Sequence, residues 1–321
     1  MVVYQDIEEA YEKITRYKNP TPLQYSSTLS RMTGNQIYLK PENLQFTGSF
    51  KLGGAINTIM NLAAKQKAKG VVTFSAGNWG QAVAYAARKF NVRSVVVMPE
   101  QASPIKIEAT KEYGAEVVLF GENSNEVNNK AKEIAQQEEL TFLSPLEDEG
   151  LIAGHGTVGL EIMKEKPDTE VILCPVGGGA FIAGVAMAIK EKYPETKVIG
   201  VEPIKANAMW LSLQADKIVE IERADTIADG LALKRPGERP FQVIKEYVDD
   251  IILVSEEEIK EAAVFLLERA KLLVEPSGAV TVAAILTGKV SMVNQKTVAI
   301  LSGGNLDLTK LKDLIHHVRL N

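Results

Sequence analysis

Lys40-Pro41-Glu42-Asn43-Leu44-Gln45-Phe46-Thr47-Gly48-Ser49-Phe50-Lys51 reads as a short strand entering a polar, glycine-containing turn, with a lysine at once after it. Beyond Lys51, Leu52, Ala55, Ile56, Ile59 and Met60 recur at helical spacing, which puts the lysine at a helix start beside the core. Such a lysine loses solvation, so its ammonium is disfavoured and its amine becomes a better nucleophile. A lysine standing alone there more often snorkels to water. The choice between the two depends on what the rest of the chain supplies.

Outward from this stretch, β-branched runs at 71–74, 94–98 and 116–120 alternate with segments of helical period at 79–90, 104–113 and 124–138, the βαβ pattern of a parallel, doubly wound sheet. A second series starts near Gly150, with a helix at 151–164, a strand at 170–175, a glycine turn, a helix at 181–192 and a strand at 197–201. Ser255 and Glu258 form a capping box ahead of a helix whose apolar face carries Ile259, Ala262, Ala263, Leu266, Leu267, Ala270 and Leu273. The last strand, 297–301, ends in Ser302-Gly303-Gly304-Asn305. The expected fold is two doubly wound α/β domains, a large one from 1–66 and 145–321 and a small one inserted at 67–144. Ligands of such open sheets bind at the carboxyl ends of the strands, here in the interdomain cleft.

Composition narrows the function. With 321 residues, 45% hydrophobic and 24% charged, the chain is an ordinary globular protein, and a net charge of −5 without a basic block argues against nucleic acid. The single cysteine, Cys174, lies in an apolar run and reads as a buried inert thiol. No signal-peptide pattern opens the sequence and no window approaches a membrane span, so the expected compartment is the cytoplasm.

Two strand-to-helix turns can take anions. Gly177-Gly178-Gly179-Ala180 offers converging backbone amides at a helix N-terminus, a phosphate site, although such turns also serve tight packing. Ser75-Ala76-Gly77-Asn78-Trp79-Gly80-Gln81 adds a hydroxyl and two amides and suits a carboxylate, with the alternative that Ser75 and Asn78 only cap the helix. His155 is a lone histidine, Glu275 either caps the next helix or projects into a cleft, and no metal-ligand spacing or hydrolase elbow is present.

In this order, Thr47-Gly48-Ser49-Phe50-Lys51, Ser75-Ala76-Gly77-Asn78, the triple glycine and Ser302-Gly303-Gly304-Asn305 resemble the fold-type II (tryptophan synthase β-like) pyridoxal-phosphate enzymes. Among these they resemble the threonine/serine dehydratase and serine racemase family. Thr21-Pro22-Leu23, Ile152-Ala153-Gly154, Ile227-Ala228-Asp229-Gly230 and Glu275-Pro276 carry the likeness over nearly the whole chain.

The resemblance implies that Lys51 forms a Schiff base with pyridoxal 5′-phosphate, with Phe50 beside the ring. Asn78 would bond the phenolic oxygen, Gly177, Gly178, Gly179 and Ala180 the phosphate, and Ser302 the pyridine nitrogen, with Glu275 also at the cofactor. Ser75, Ala76, Gly77 and Trp79 would form the substrate-carboxylate loop, lined by Gly230. The implied reaction is β-elimination of a hydroxy amino acid, L-threonine and/or L-serine, to a 2-oxo acid and ammonia, by a homodimer or homotetramer.

Departures from the family pattern weigh on the alternatives. Racemases carry a serine base where Ala76 stands, and β-replacement enzymes an aspartate where Leu52 follows the lysine. Trp79 replaces a usual histidine, adding bulk beside the carboxylate loop, and Gly53 a usual arginine. The relatives' divalent-cation site is matched by Glu202 and the Ala206 carbonyl, but Ala208 stands in place of an aspartate, so no metal is expected. The chain ends soon after Asn305, which leaves no room for a C-terminal sensing domain and makes feedback inhibition by isoleucine an unexpected property. A binding protein that kept the fold without catalysis is the reading from another class.

Overall fold

The computed structural model describes residues 2–290 and 293–320. The strand leading to Lys51 lies inside a six-stranded sheet, in spatial order β1 (Gln24–Tyr25), β2 (Gln36–Pro41), β10 (Lys296–Leu301), β7 (Val171–Pro175), β8 (Lys197–Pro203) and β9 (Asp250–Val254). Only β1 runs antiparallel, with Gln24 opposite Leu39 and Tyr25 opposite Tyr38. A second, all-parallel sheet is ordered β5 (Glu116–Leu119), β4 (Ser94–Met98), β3 (Val71–Phe74) and β6 (Thr141–Phe142). The central strands read as unbroken apolar runs because helices cover both faces; Ile172, Leu173 and Cys174 of β7 are fully buried. Burial pushes the Cys174 thiol well up, in keeping with an inert core residue.

Local signals start the helices. Asp148 accepts from the Leu151 amide and opens Glu149–Glu165, and Asn123 does the same for Ser124–Gln137. The Ser255–Glu258 capping box is present, but its helix departs from the expected one at the far end. After Glu256–Phe265 the backbone widens into a π turn over Leu266–Ala270, and Lys271 stops it in the left-handed region at φ 61°. Leu273 therefore falls outside the helix and is 38% exposed instead of completing its apolar face.

Helix Lys51–Asn61 packs on Glu149–Glu165 backbone to backbone. A Cβ on Gly53 would stand 2.9 Å from the Gly154 carbonyl oxygen, and one on Gly154 only 2.5 Å from that of Gly53. Gly53 is thus a packing position, with no room for the arginine common there.

Beneath the lysine loop lies a buried ionic cluster that pattern reading did not find. Glu161 takes Lys18 on Oε1 and Lys40 on Oε2, each at 2.6 Å, and Lys40 also lies 3.7 Å from Glu42. Thr21 donates to Glu42 at 2.6 Å, and Lys40 to the Thr21 carbonyl at 2.9 Å. Burial works against the Glu161 carboxylate, but the two ammonium groups outweigh it and hold the carboxyl below its ordinary range. Lys40 is only 2% exposed, so this pairing, rather than snorkelling, accounts for a lysine inside β2.

Candidate active site

Lys51 is the first residue of its helix, and its loop lies beside the carboxyl end of β10. A short antiparallel ladder sets it there: Phe50 N–H donates to the Ser302 carbonyl (3.0 Å), Ser49 bridges Gly303, and Gly304 N–H donates to the Gly48 carbonyl (2.9 Å). The lysine loop is so fastened to the end of β10. Lys51 Nζ lies 4.8 Å from the centre of the Phe50 ring, which stacks on Phe181 at 3.7 Å and meets His155 edge-on at 4.8 Å. Lys51 keeps partial exposure along the cleft, yet the protein around its amine is dense enough that desolvation lowers its pKa to about 8, with Glu275 pulling the other way. Burial and the nearby Lys51 and Lys18 charges keep His155 neutral.

Glu275 is 3% exposed, and burial, with Asp229 nearby, raises its pKa to about 7. Its Oε1 accepts from Asn78 Nδ2 at 2.7 Å. Asn78 in turn accepts on Oδ1 from Asn305 (2.8 Å). The Asn78 side chain thus faces the cleft and does not cap its own helix, which leaves open the capping alternative only for Ser75, whose hydroxyl accepts from Gly77 N–H at 3.1 Å. Gly230 N–H donates to Ser277 Oγ (2.9 Å), and a Cβ on Gly230 would come 3.9 Å from Glu275, so this glycine borders the same space. Ser302 is 3% exposed, with a long 3.4 Å bond to the Ser277 carbonyl.

A phosphorylated cofactor fits these residues. Among the described residues, the backbone amides of Gly177, Gly178, Gly179 and Ala180 donate to no protein acceptor, at the N-terminus of helix Ala180–Lys190. Gly179 turns the chain into the helix at φ 96°, and a Cβ on it would lie 2.5 Å from Met209 Cε. The amides of Ala76, Asn78, Trp79 and Gly80 likewise lack protein acceptors at the second helix N-terminus.

Two residues lie elsewhere. The Trp79 side chain is 3% exposed in the core and donates from Nε1 to Thr73 Oγ1 at 2.8 Å, so its bulk is not beside the carboxylate loop. Both oxygens of Glu202 accept helix amides, from Met209 (3.1 Å) and Trp210 (2.9 Å), and burial pushes its carboxyl up to about 8 against them. Among the described residues no three His, Cys, Asp or Glu side chains gather into a metal-binding group. Sequence reading also missed a bridge between the lobes, in which Asp229 meets Lys106 at 3.2 Å and Lys310 at 3.4 Å.

A lysine with two helix N-termini whose backbone amides have no protein acceptor, on two parallel-sheet lobes, is the arrangement of fold-type II pyridoxal-phosphate enzymes. The family of pyridoxal-phosphate dependent enzymes matches residues 14–303, and the chain belongs to it. The chain is 44% identical over 316 residues to an L-threonine ammonia-lyase of Thermotoga maritima, covering 98% of this chain and 79% of that one. It is also 44% identical to a catabolic L-threonine dehydratase of Staphylococcus aureus, covering 97% and 91%. Among solved structures, the processed threonine deaminase isoform 2 of Solanum lycopersicum superposes with a TM-score of 0.93 at 36% identity, covering 98% of this chain and 92% of that one. Maize serine racemase superposes with a TM-score of 0.93 at 34% identity, covering 99% and 98%. No helix among the described residues is long and apolar enough to cross a membrane.

Proposed function

We propose that the protein is a pyridoxal-phosphate dependent ammonia-lyase that converts L-threonine and/or L-serine to a 2-oxo acid and ammonia by β-elimination. The observation that carries this reading is the desolvated Lys51 amine, with a pKa lowered to about 8, at the start of its helix; the family pattern supports it, since Ala76 stands where a racemase carries its second base. The threonine lyases and dehydratase among its relatives support the substrate class. Residues 67–144 form the inserted small domain in this reading, and the enzyme works as a homodimer or homotetramer in the cytoplasm.

The residues divide the work. The amides of Gly177, Gly178, Gly179 and Ala180 hold the phosphate, Asn78 the phenolic oxygen, and Ser302 presents a neutral hydroxyl to the ring nitrogen. The cofactor supplies, when bound, a sink for the electron pair left at the substrate's Cα. Ser75, Gly77 and the free amides of their loop take the substrate carboxylate and orient Cα toward Lys51. Lys51, with its amine free, would remove the Cα proton, and the β-hydroxyl would leave as water once protonated. The enamine set free hydrolyses to the 2-oxo acid and ammonia.

Racemisation is the second reading, supported by the likeness to the maize racemase. It needs a base on the face opposite Lys51, and Ala76 has none. Incubating the enzyme with a panel of hydroxy amino acids and measuring ammonia, 2-oxo acid and product chirality decides the matter. Ammonia and 2-oxo acid in equal amounts with no D-isomer is the expected result. Substantial D-amino acid would establish the racemase, and no turnover of any member would leave a binding protein.

A further inference from the structure

Asn305 ends the Ser-Gly-Gly-Asn run without a role in the reaction above, yet it stands where both lobes and the lysine loop meet. Its Nδ2 donates both hydrogens, one to the Thr47 carbonyl and one to Asn78 Oδ1, each at 2.8 Å. A backbone carbonyl can only accept, so Thr47 requires the nitrogen end of the Asn305 amide on its side. The second hydrogen then requires the oxygen end of Asn78. Once that oxygen is taken, Asn78 must turn its own Nδ2 toward the cleft, where it donates to Glu275 Oε1 at 2.7 Å. Room for this arrangement comes from Gly48, at φ 68°: a Cβ there would lie 2.4 Å from Asn305 Oδ1.

We propose that Asn305 is a positioning residue, which carries the polarity of the Thr47 carbonyl across to the small lobe and so keeps Asn78 a donor toward the cofactor and Glu275. This rests on the contact between Asn78 and the cofactor in the function proposed above. Without Asn305, the Asn78 amide loses the partner that fixes its oxygen end, and its flipped form presents an acceptor where a donor is needed.

The test uses the cofactor-loaded enzyme without substrate, recording its visible absorbance against pH in Asn305→Asp, Asn305→Ala, Asn78→Ala and the Asn78→Ala/Asn305→Ala double variant. Asn305→Ala removes the donor without adding charge, and thermal melting identifies any variant that fails to fold. Expected are a shifted band or titration midpoint in Asn305→Asp and Asn305→Ala, and a kcat about tenfold lower with KM within about twofold. In the Asn78→Ala background the Asn305 change should add nothing to the spectrum. A wild-type spectrum in Asn305→Ala, or an equal further shift in the double variant, overturns the role given to Asn305. An unchanged band in Asn78→Ala overturns instead the Asn78 contact on which it rests.

Discussion

Asn78 reaches from the small lobe to Glu275 of the large one, Nδ2 to Oε1 at 2.7 Å, and this hydrogen bond falls on a carboxyl whose pKa burial raises to about 7. Because that value lies above the ordinary 4.5, the stability that Glu275 lends the cofactor-free protein is present below about 4.5 and lost as pH rises through 7. A shift of this size is worth on the order of 3 kcal/mol. Glu275→Gln keeps an acceptor for Asn78 without the charge. It should melt higher than the wild-type apoprotein at pH 8 and equal to it near pH 4.5, and an equal gap at both pH values would refute the assignment.

Lys51→Ala should abolish the visible absorbance of the loaded enzyme and lower ammonia production by at least about a thousandfold, since in the proposed function it removes both the covalent anchor and the base. Spectra and an ammonia assay check this. Full activity in the variant would sink the proposed function.

In the proposed site, Ala76→Ser would place a hydroxyl on the face opposite Lys51. If one-sided proton transfer is what restricts the enzyme to elimination, the variant should release D-serine from L-serine at a rate measurable by chiral chromatography, with ammonia release reduced. A product free of D-isomer would mean that the second face is closed for another reason.

Gly154→Ala pushes a methyl group to 2.5 Å from the Gly53 carbonyl oxygen and must force the two helices away from each other. The expected cost is about 1–3 kcal/mol, read from the urea midpoint. Because helix Lys51–Asn61 carries the lysine, cofactor affinity should fall with it.

Glu161→Gln leaves Lys18 and Lys40 buried without their shared counter-charge, at a cost of about 3–5 kcal/mol. The wild-type carboxyl has a pKa below its ordinary range, so its contribution is present above about pH 4.5 and lost as pH falls through the folded value. The variant should therefore lose most stability near neutral pH and little in strong acid. Circular dichroism melts at pH 7 and pH 3 test this: at pH 3, between the ordinary and the folded value, the gap should have narrowed without closing.

Much of the site was legible because its elements are local. Lys51 follows its loop directly, and each candidate anion turn is a contiguous strand, turn and helix start, so neighbouring residues declare the local geometry. What joins distant segments was not legible. Nothing in the spacing of Lys18, Lys40 and Glu161 tells that they share one buried carboxylate, and Asn305 gains meaning only when β10 is laid beside β2. Trp79 misled in another way: its backbone belongs to the loop, but helical geometry turns its indole inward to Thr73. Gly53 likewise marks how closely two helices approach, a relation that one-dimensional reading cannot supply.

The ladder between residues 48–50 and 302–304 has a consequence for engineering. It rivets Lys51 and Ser302 into a single gauge block within one lobe, while the lobe carrying β3 to β6 brings the loop proposed for the substrate as a separate jaw. Exchanging that jaw for a relative's, with Asn78 retained, is thus the way to retool the enzyme for another amino acid while the lysine keeps its mounting.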